Sequence, residues 1–356
     1  MSNKVEDFMK KFVKILIFSL MLIGMCNMNV EAVELKEISV NELNDVWIGN
    51  SQDDKAKTGV TVAIFPKGAA VGVDISGGGP ASRETPVISP TTNPTPVNAI
   101  VLAGGSAYGL AASDGVMNWL EENKIGYDTK ISLVPIVVQS DIYDLSYGSS
   151  KIRPDSKMGR AACENAKLRK NFKSGSLGAG TGATVGKLYG MEQSMKSGLG
   201  VYAVQIGDIK LAAIVVVNAL GDIYDERNGQ KIAGLMTEDR KGFSDTRREL
   251  YKLTTNTDLF NHENTTIGMI ITNAKFDKTQ LTKIASMTRN AYARSIKPVG
   301  TLADGDTIYA ASTGKVEADL NMIGTLSSEV MSEAIRRAIL SSKMNDSDYL
   351  ANCWKQ

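Results

Sequence analysis

Residues 262–274 read HENTTIGMIITNA. A polar segment, His262-Glu263-Asn264, gives way at Thr265 to an apolar run rich in β-branched residues, the composition of a buried strand. If the Asn264-Thr265 peptide bond is cut, Thr265 becomes the first residue of that strand. Its hydroxyl is then a nucleophile, and its own α-amine, with an unperturbed pKa near about 7.7, is the base. The plainer alternative is that Asn-Thr starts a strand and does nothing more. The rest of the sequence has to decide between the two.

Working outward, the chain has 356 residues, 43% of them apolar, enough for one large or two modest cores. Its formal net charge is +1, which gives no basic footprint for nucleic acid. It holds a single histidine, His262. Cys/His zinc sites are therefore excluded, and a Ser-His-Asp hydrolase would depend on that one residue. A nucleophile that carries its own base removes the difficulty.

The N-terminus reads as a targeting segment. Lys4, Lys10, Lys11 and Lys14 precede an apolar run from Ile15 to Met25, and Val30-Glu31-Ala32 offers a small-residue exit. This is the pattern of a secretory signal peptide over residues 1–32, so export is expected. Only Cys163 and Cys353 would then remain, too few for a disulfide scaffold.

Residues 76–98, SGGGPASRETPVISPTTNPTPVN, form a long ordered loop or surface excursion. AIVLAGGSAYGLAASDGVMNWLEENK reads as strand, tight glycine turn and amphipathic helix. ISLVPIVV and KLAAIVVVNALGDIYD read as strands, as does GDTIYAAST. DKTQLTKIASMTRNAYARSI and LNMIGTLSSEVMSEAIRRAILSSK read as helices. Such a mixture predicts a layered α/β or α+β domain.

Two glycine-rich stretches imitate known motifs. Gly178–Lys187, GAGTGATVGK, lacks the first glycine of a phosphate loop, because Thr181 stands there, and Leu188 replaces the metal-binding hydroxyl after the lysine. No nucleotide is expected. Gly104–Gly109, GGSAYG, fails as a nucleophile elbow at Tyr108 and as a dinucleotide fingerprint at Ser106. Asn218 ends an apolar strand; a buried amide there needs partners, or presents its NH₂ to an oxyanion. Asp304 and Asp306 flank Gly305. They are either a solvated turn or a carboxylate pair that orients a neighbouring amine or hydroxyl.

Taken in order, SGGGPASRET, VLAGGSAYGLAASDGV, GAGTGATVGK, VVVNALGDI, NTTIGMIITNA and DGDTIYAASTG resemble the L-aminopeptidase/D-esterase family, which includes β-peptidyl aminopeptidases and nylon-oligomer hydrolases. The resemblance covers about Gly59 to Leu340. It implies an α+β fold of the N-terminal-nucleophile type, a four-layer αββα sandwich. It also implies self-cleavage between Asn264 and Thr265, giving an α subunit of residues 33–264 and a β subunit of 265–356. Thr265 would be the nucleophile and Lys187 its neighbour in proton transfer or charge stabilisation. Asn218 would donate to the oxyanion, and Asp304 with Asp306 would position the nucleophile. The family more often has serine at the nucleophile and Ser-Gly-Glu at the acidic place; Thr265 and Asp-Gly-Asp resemble the nylon-oligomer branch. Tyr143, in SDIYDLSYG, matches a site-lining tyrosine loosely.

The function implied is hydrolysis of small peptide or other linear amides through an acyl-enzyme, with no cofactor or metal and with processed units assembled as a homotetramer. Two other readings are carried. One is an acyltransferase of the ornithine acetyltransferase type, which also cuts before threonine; export argues against it because acyl donors are cytosolic. The other is an exported binding protein without catalysis, in which Asn264-Thr265 stays intact.

Overall fold

The computed structural model describes Met9 and residues 35–254 and 264–354. His262 and the expected signal peptide, Met9 apart, lie outside the described residues. The first strands are β1 (Lys36–Glu37), β2 (Trp47–Asp53), β3 (Thr58–Ile75), β4 (Ala81–Arg83) and β5 (Val97–Ala103). Helix α1 (Ala112–Glu122), β6 (Val137–Asp141) and α2 (Ser156–Lys167) follow, then the hairpin β7 (Leu199–Ile206) and β8 (Ile209–Asn218). The last elements are β9 (Thr265–Ala274), α3 (Lys278–Ser295), β10 (Thr307–Val316) and α4 (Leu320–Leu340). Short two- to four-residue strands fill the connections.

Strand β3 joins two sheets. Its first half, Thr58–Ile64, pairs antiparallel with β2, and Val60–Ile64 pairs with β5; Ala70–Ile75 pairs antiparallel with β10. Between the halves, Phe65-Pro66-Lys67-Gly68 breaks the register, with Gly68 at φ +76°. Proline removes a ladder donor and glycine admits the left-handed turn, so the strand leaves one sheet and enters the other. One sheet runs β1-β7-β8-β9-β10-β3 and the other β2-β3-β5-β6-β4.

The two sheets face each other. Ile214, Val216, Ile267, Met269 and Tyr309 from the first meet Ile48, Ile100, Leu102 and Val138 from the second in one buried core. Alternation sends the opposite faces outward. Val215, Val217, Ile270 and Ile308 pack beneath α3 and α4, and Val60, Val62 and Val101 pack beneath α1 and α2. The layers are therefore α, β, β, α, the sandwich expected from the sequence. Of helices α1 to α4, three begin on an aspartate cap: Asp155 accepts from Met158 N, Asp277 from Gln280 N, and Asp319 from Met322 N.

Some elements differ from those the sequence pattern predicts. Of ISLVPIVV only Leu133–Val134 and Val137–Val138, the start of β6, are strand, because Pro135 interrupts the ladder. KLAAIVVVNALGDIYD is two strands, β8 and Asp222–Asp225. The stretch 76–98 contains β4 and a short 3₁₀ turn, Thr85–Ile88. Cys163 and Cys353 are free thiols.

Helix α4 lies against β7 with almost no gap. A Cβ on Gly200 would come within 1.8 Å of Ala334 O, a backbone atom that cannot swing aside. Gly200→Ala should therefore destabilise the protein by about 1–3 kcal/mol, the usual range for overpacking. Thermal or denaturant unfolding reads the change; an unaltered midpoint would contradict this packing.

Candidate active site

Strand register assembles the site. Antiparallel pairing of β8 with β9 sets Asn218 opposite Thr265. Parallel pairing of β9 with β10 begins at Ile267 and Thr307, and one bridge earlier Asn264 lies beside Asp304. The C-terminus of β8 and the entries to β9 and β10 therefore converge at one end of the sheet. Asn264, Thr265, Asn218, Asp304 and Asp306 come together there, all buried.

The hydroxyl of Thr265 donates to the carbonyl oxygen of Asn264, the residue just before it, in a short contact. The same oxygen accepts Gly305 N–H at 2.9 Å. This peptide thus has a hydroxyl in contact and a backbone donor on its carbonyl oxygen. Gly305 has little room for a side chain. A Cβ there would stand 3.0 Å from Thr265 Oγ1 and 2.8 Å from Gly79 O. The SGGGP loop closes over this turn, with Gly79 N donating to Asp304 O at 2.9 Å.

Both aspartates are held by backbone donors. Asp306 Oδ1 accepts Thr266 N–H at 2.6 Å, and Oδ2 accepts Gly300 N–H at 2.9 Å. Asp304 Oδ2 accepts Thr301 N–H at 2.9 Å and the Thr301 hydroxyl at 2.6 Å. Burial raises both carboxyls above the usual range. Asp306 is pushed up to about 8, by burial first and then by the charge of Asp304, against the pull of its backbone donors. Asp304 is held lower by Thr301, by Leu220 N–H and by the positive charge of Lys187. The solvated-turn reading of this pair does not describe the fold: Asp304 and Asp306 are essentially inaccessible to water.

Lys187 belongs to the same cluster. Its Nζ donates to Asn218 O and Asn218 Oδ1, each at 2.9 Å, and to Thr184 O at 3.2 Å. Asn218 Oδ1 also accepts Thr184 N–H at 3.0 Å, while Asn218 Nδ2 donates to Tyr143 O at 2.8 Å. Tyr143 therefore enters the site through its backbone carbonyl. The backbone donor on the Asn264 carbonyl is Gly305, a group that the sequence did not point to. Thr184 and Thr301 were likewise missed; both act as local braces.

The glycine-rich loop is packed inside the fold. Gly178 through Gly182 are buried, and Gly186 turns at φ +76° with a Cβ position 2.1 Å from the carbonyl carbon of Gly234. Only glycine fits that approach, and the turn delivers Lys187 to Asn218.

Residues 30–348 match Peptidase family S58. The chain belongs to peptidase family S58. As a member it is a hydrolase of amide bonds. An uncharacterized aminopeptidase of Mycobacterium leprae is 36% identical over 277 residues, covering 73% of this chain and 72% of that protein. A 6-aminohexanoate-oligomer endohydrolase of Kocuria sp. is 30% identical over 312 residues, covering 82% and 83%. Among solved structures, the L-aminopeptidase D-Ala-esterase/amidase of Ochrobactrum anthropi, described as a variant of the Ntn hydrolase fold, superposes with a TM-score of 0.64. That match covers 86% of each chain at 16% identity. A Burkholderia sp. β-aminopeptidase gives 0.61 over 86% of this chain and 90% of its own, also at 16% identity. At that identity these two likenesses concern the S58 fold alone.

The raised Asp306 pKa carries a stability consequence. A carboxyl lifted from about 3.9 in the unfolded chain to about 8 when folded favours the folded state below pH 4. That contribution is lost as pH rises toward 8. Comparing Thr265→Ala with Thr265→Ala/Asp306→Asn across pH 5 to 8, the first should lose thermal stability faster with pH. Parallel pH curves would show that Asp306 does not titrate in this window.

Proposed function

We propose that the chain is a self-processing amide hydrolase whose nucleophile is Thr265. The observation that carries this reading is the Thr265 hydroxyl in contact with the Asn264 carbonyl, with Gly305 N–H on the same oxygen. Thr265 Oγ attacks the Asn264 carbonyl carbon and gives up its proton. The carbonyl becomes an oxyanion held by Gly305 N–H, with Lys187 supplying positive charge nearby. The C–N bond breaks, the nitrogen takes up a proton, and an ester joins Asn264 to Thr265 Oγ. Water hydrolyses the ester, leaving a carboxylate on Asn264 and a free α-amine on Thr265. Positioning of this kind substitutes for diffusional encounter and can contribute several kcal/mol to the rate.

The matured site repeats the sequence on a substrate. Thr265 Oγ attacks the substrate carbonyl carbon while its own amine takes the hydroxyl proton. The substrate C–N bond breaks, the leaving nitrogen takes that proton and departs as an amine, and water hydrolyses the remaining acyl-enzyme ester to release the acid. Once the chain has been cut and the Asn264 end moves, Asn218 Nδ2 is the side-chain amide nearest in register to the nucleophile and donates to the oxyanion. Asp304 and Asp306 orient the Thr265 segment through the Thr266 and Gly305 backbone. Linear amides, either short peptides or 6-aminohexanoate oligomers, are the substrate class, following the names of the relatives in the family. Export follows from the N-terminal pattern, and assembly of processed units into a homotetramer from the family resemblance.

Thr265→Ala should give one uncut chain on denaturing electrophoresis, where the wild type gives two fragments and N-terminal sequencing of one begins at Thr265. Two fragments from Thr265→Ala would refute the assignment. Asn218→Ala should slow cleavage and turnover by about a hundredfold, the effect of losing one oxyanion donor. Turnover is read on amino-acid p-nitroanilides, β-peptides and 6-aminohexanoate oligomers. An Asn218→Ala protein with wild-type rates on all of them would remove Asn218 from the mechanism.

A further inference from the structure

The fold holds a cavity of about 440 Å³, within the size range of small-molecule sites. None of Thr265, Lys187, Asn218, Asp304 and Asp306 lines it. Its charged lining is lopsided: Lys196, Lys231, Arg240 and Lys343 against the single carboxylate of Asp346. Phe243 and Tyr349 add aromatic surface, with aliphatic side chains between them.

Arg240 is the most constrained of these residues. Its backbone stands at φ +53°, in the left-handed region that a residue with a side chain adopts at a penalty. The turn that holds it is closed by Arg240 N–H to Thr237 O at 2.9 Å and Thr237 N–H to Gly242 O at 2.8 Å. Nη1 is fixed by Glu192 O at 2.6 Å and Ser194 O at 2.9 Å, and Nη2 by Asp346 at 2.7 Å. The Nε–H is buried and has no partner among the described residues. A buried guanidinium donor normally has one.

The other cations frame it. Lys231 pairs with Asp222 at 2.8 Å and lies 5.1 Å from the Phe243 ring centre. Lys196 is buried, with Nζ bonded to the carbonyls of Gly180, Ala183 and Ser197. Lys343 is exposed at the rim and makes no ion pair among the described residues. Asp346, half exposed on Arg240, shows that this edge of the guanidinium receives a carboxylate.

We propose that this cavity binds a small organic carboxylate carrying an aliphatic or aromatic body. Its oxygens meet the Arg240 guanidinium where Asp346 now pairs with Nη2, displacing or joining that carboxylate. Lys343 closes over the charge, and the body packs on Phe243 and Tyr349. A bare inorganic anion would leave those walls wet, so an apolar body is part of the recognition. The acid released by amide hydrolysis belongs to this chemical class.

Calorimetric titration of the purified protein with hexanoate, benzoate and inorganic phosphate tests the site. Hexanoate or benzoate should bind saturably, one per chain, at least about tenfold more tightly than phosphate. Lys343→Gln and Phe243→Ala, both at accessible positions outside the Thr265 cluster, should each weaken that binding about fivefold or more without changing amide turnover. Arg240→Gln should abolish it. Thr265→Ala should leave it intact, so failure of the self-cleavage reading and failure of this one are distinguishable. Absence of saturable carboxylate binding, phosphate binding as tight as hexanoate, or affinity indifferent to both Lys343→Gln and Phe243→Ala would each overturn the proposal.

Discussion

Parallel pairing of β9 with β10, flanked by antiparallel β8, is the constraint on which the site depends. Parallel strands enter from the same end, so Asn264-Thr265 and Asp304-Gly305-Asp306 must meet there. The antiparallel neighbour exits at that end and delivers Asn218. A one-residue slip of β9 would turn Thr265 to the other face and break the alternation that buries Ile267 and Met269 between the sheets. The core therefore enforces the register, and the register enforces the chemistry.

The same burial creates the site's electrostatics. Two carboxyls and one ammonium are withdrawn from water in the cluster around one peptide bond. An unpaired charge there would be strongly unfavourable. The fold answers with backbone N–H groups from Thr266, Gly300, Thr301 and Leu220 on the aspartates, and with carbonyls of Thr184 and Asn218 on Lys187. Groups fixed in this way do not reorganise when charge moves, which is the condition for electrostatic catalysis. The raised Asp306 is the residual penalty of that arrangement.

Much of this was legible in the sequence because side chains carried it. The β-branched run after Thr265, the terminal Asn218 and the Asp-Gly-Asp turn all signalled positions that the sheet then brought together. Backbone groups left no such signal: nothing in the letters distinguishes Gly305 N–H as the donor on the Asn264 carbonyl. Strand β3 was missed because Pro66 and Gly68 look like breaks, whereas they mark the crossing from one sheet to the other. Helix α2 escaped notice because its buried face is small, Gly159, Ala162, Cys163 and Ala166, under many charged residues. Strand β7 went unread for a related reason, since its glycine sits under α4 where a side chain would have shown the pattern.

The central claim is that burial of the Asn264-Thr265 bond in this cluster leads the chain to cut itself there. Intact mass spectrometry of the purified wild-type protein tests it most directly. The account predicts two polypeptides, one ending at Asn264 and one running from Thr265 to Gln356. Their masses together should exceed that of the uncut chain by one water. A single species of uncut mass after prolonged incubation, or a cut at any other bond, would contradict it.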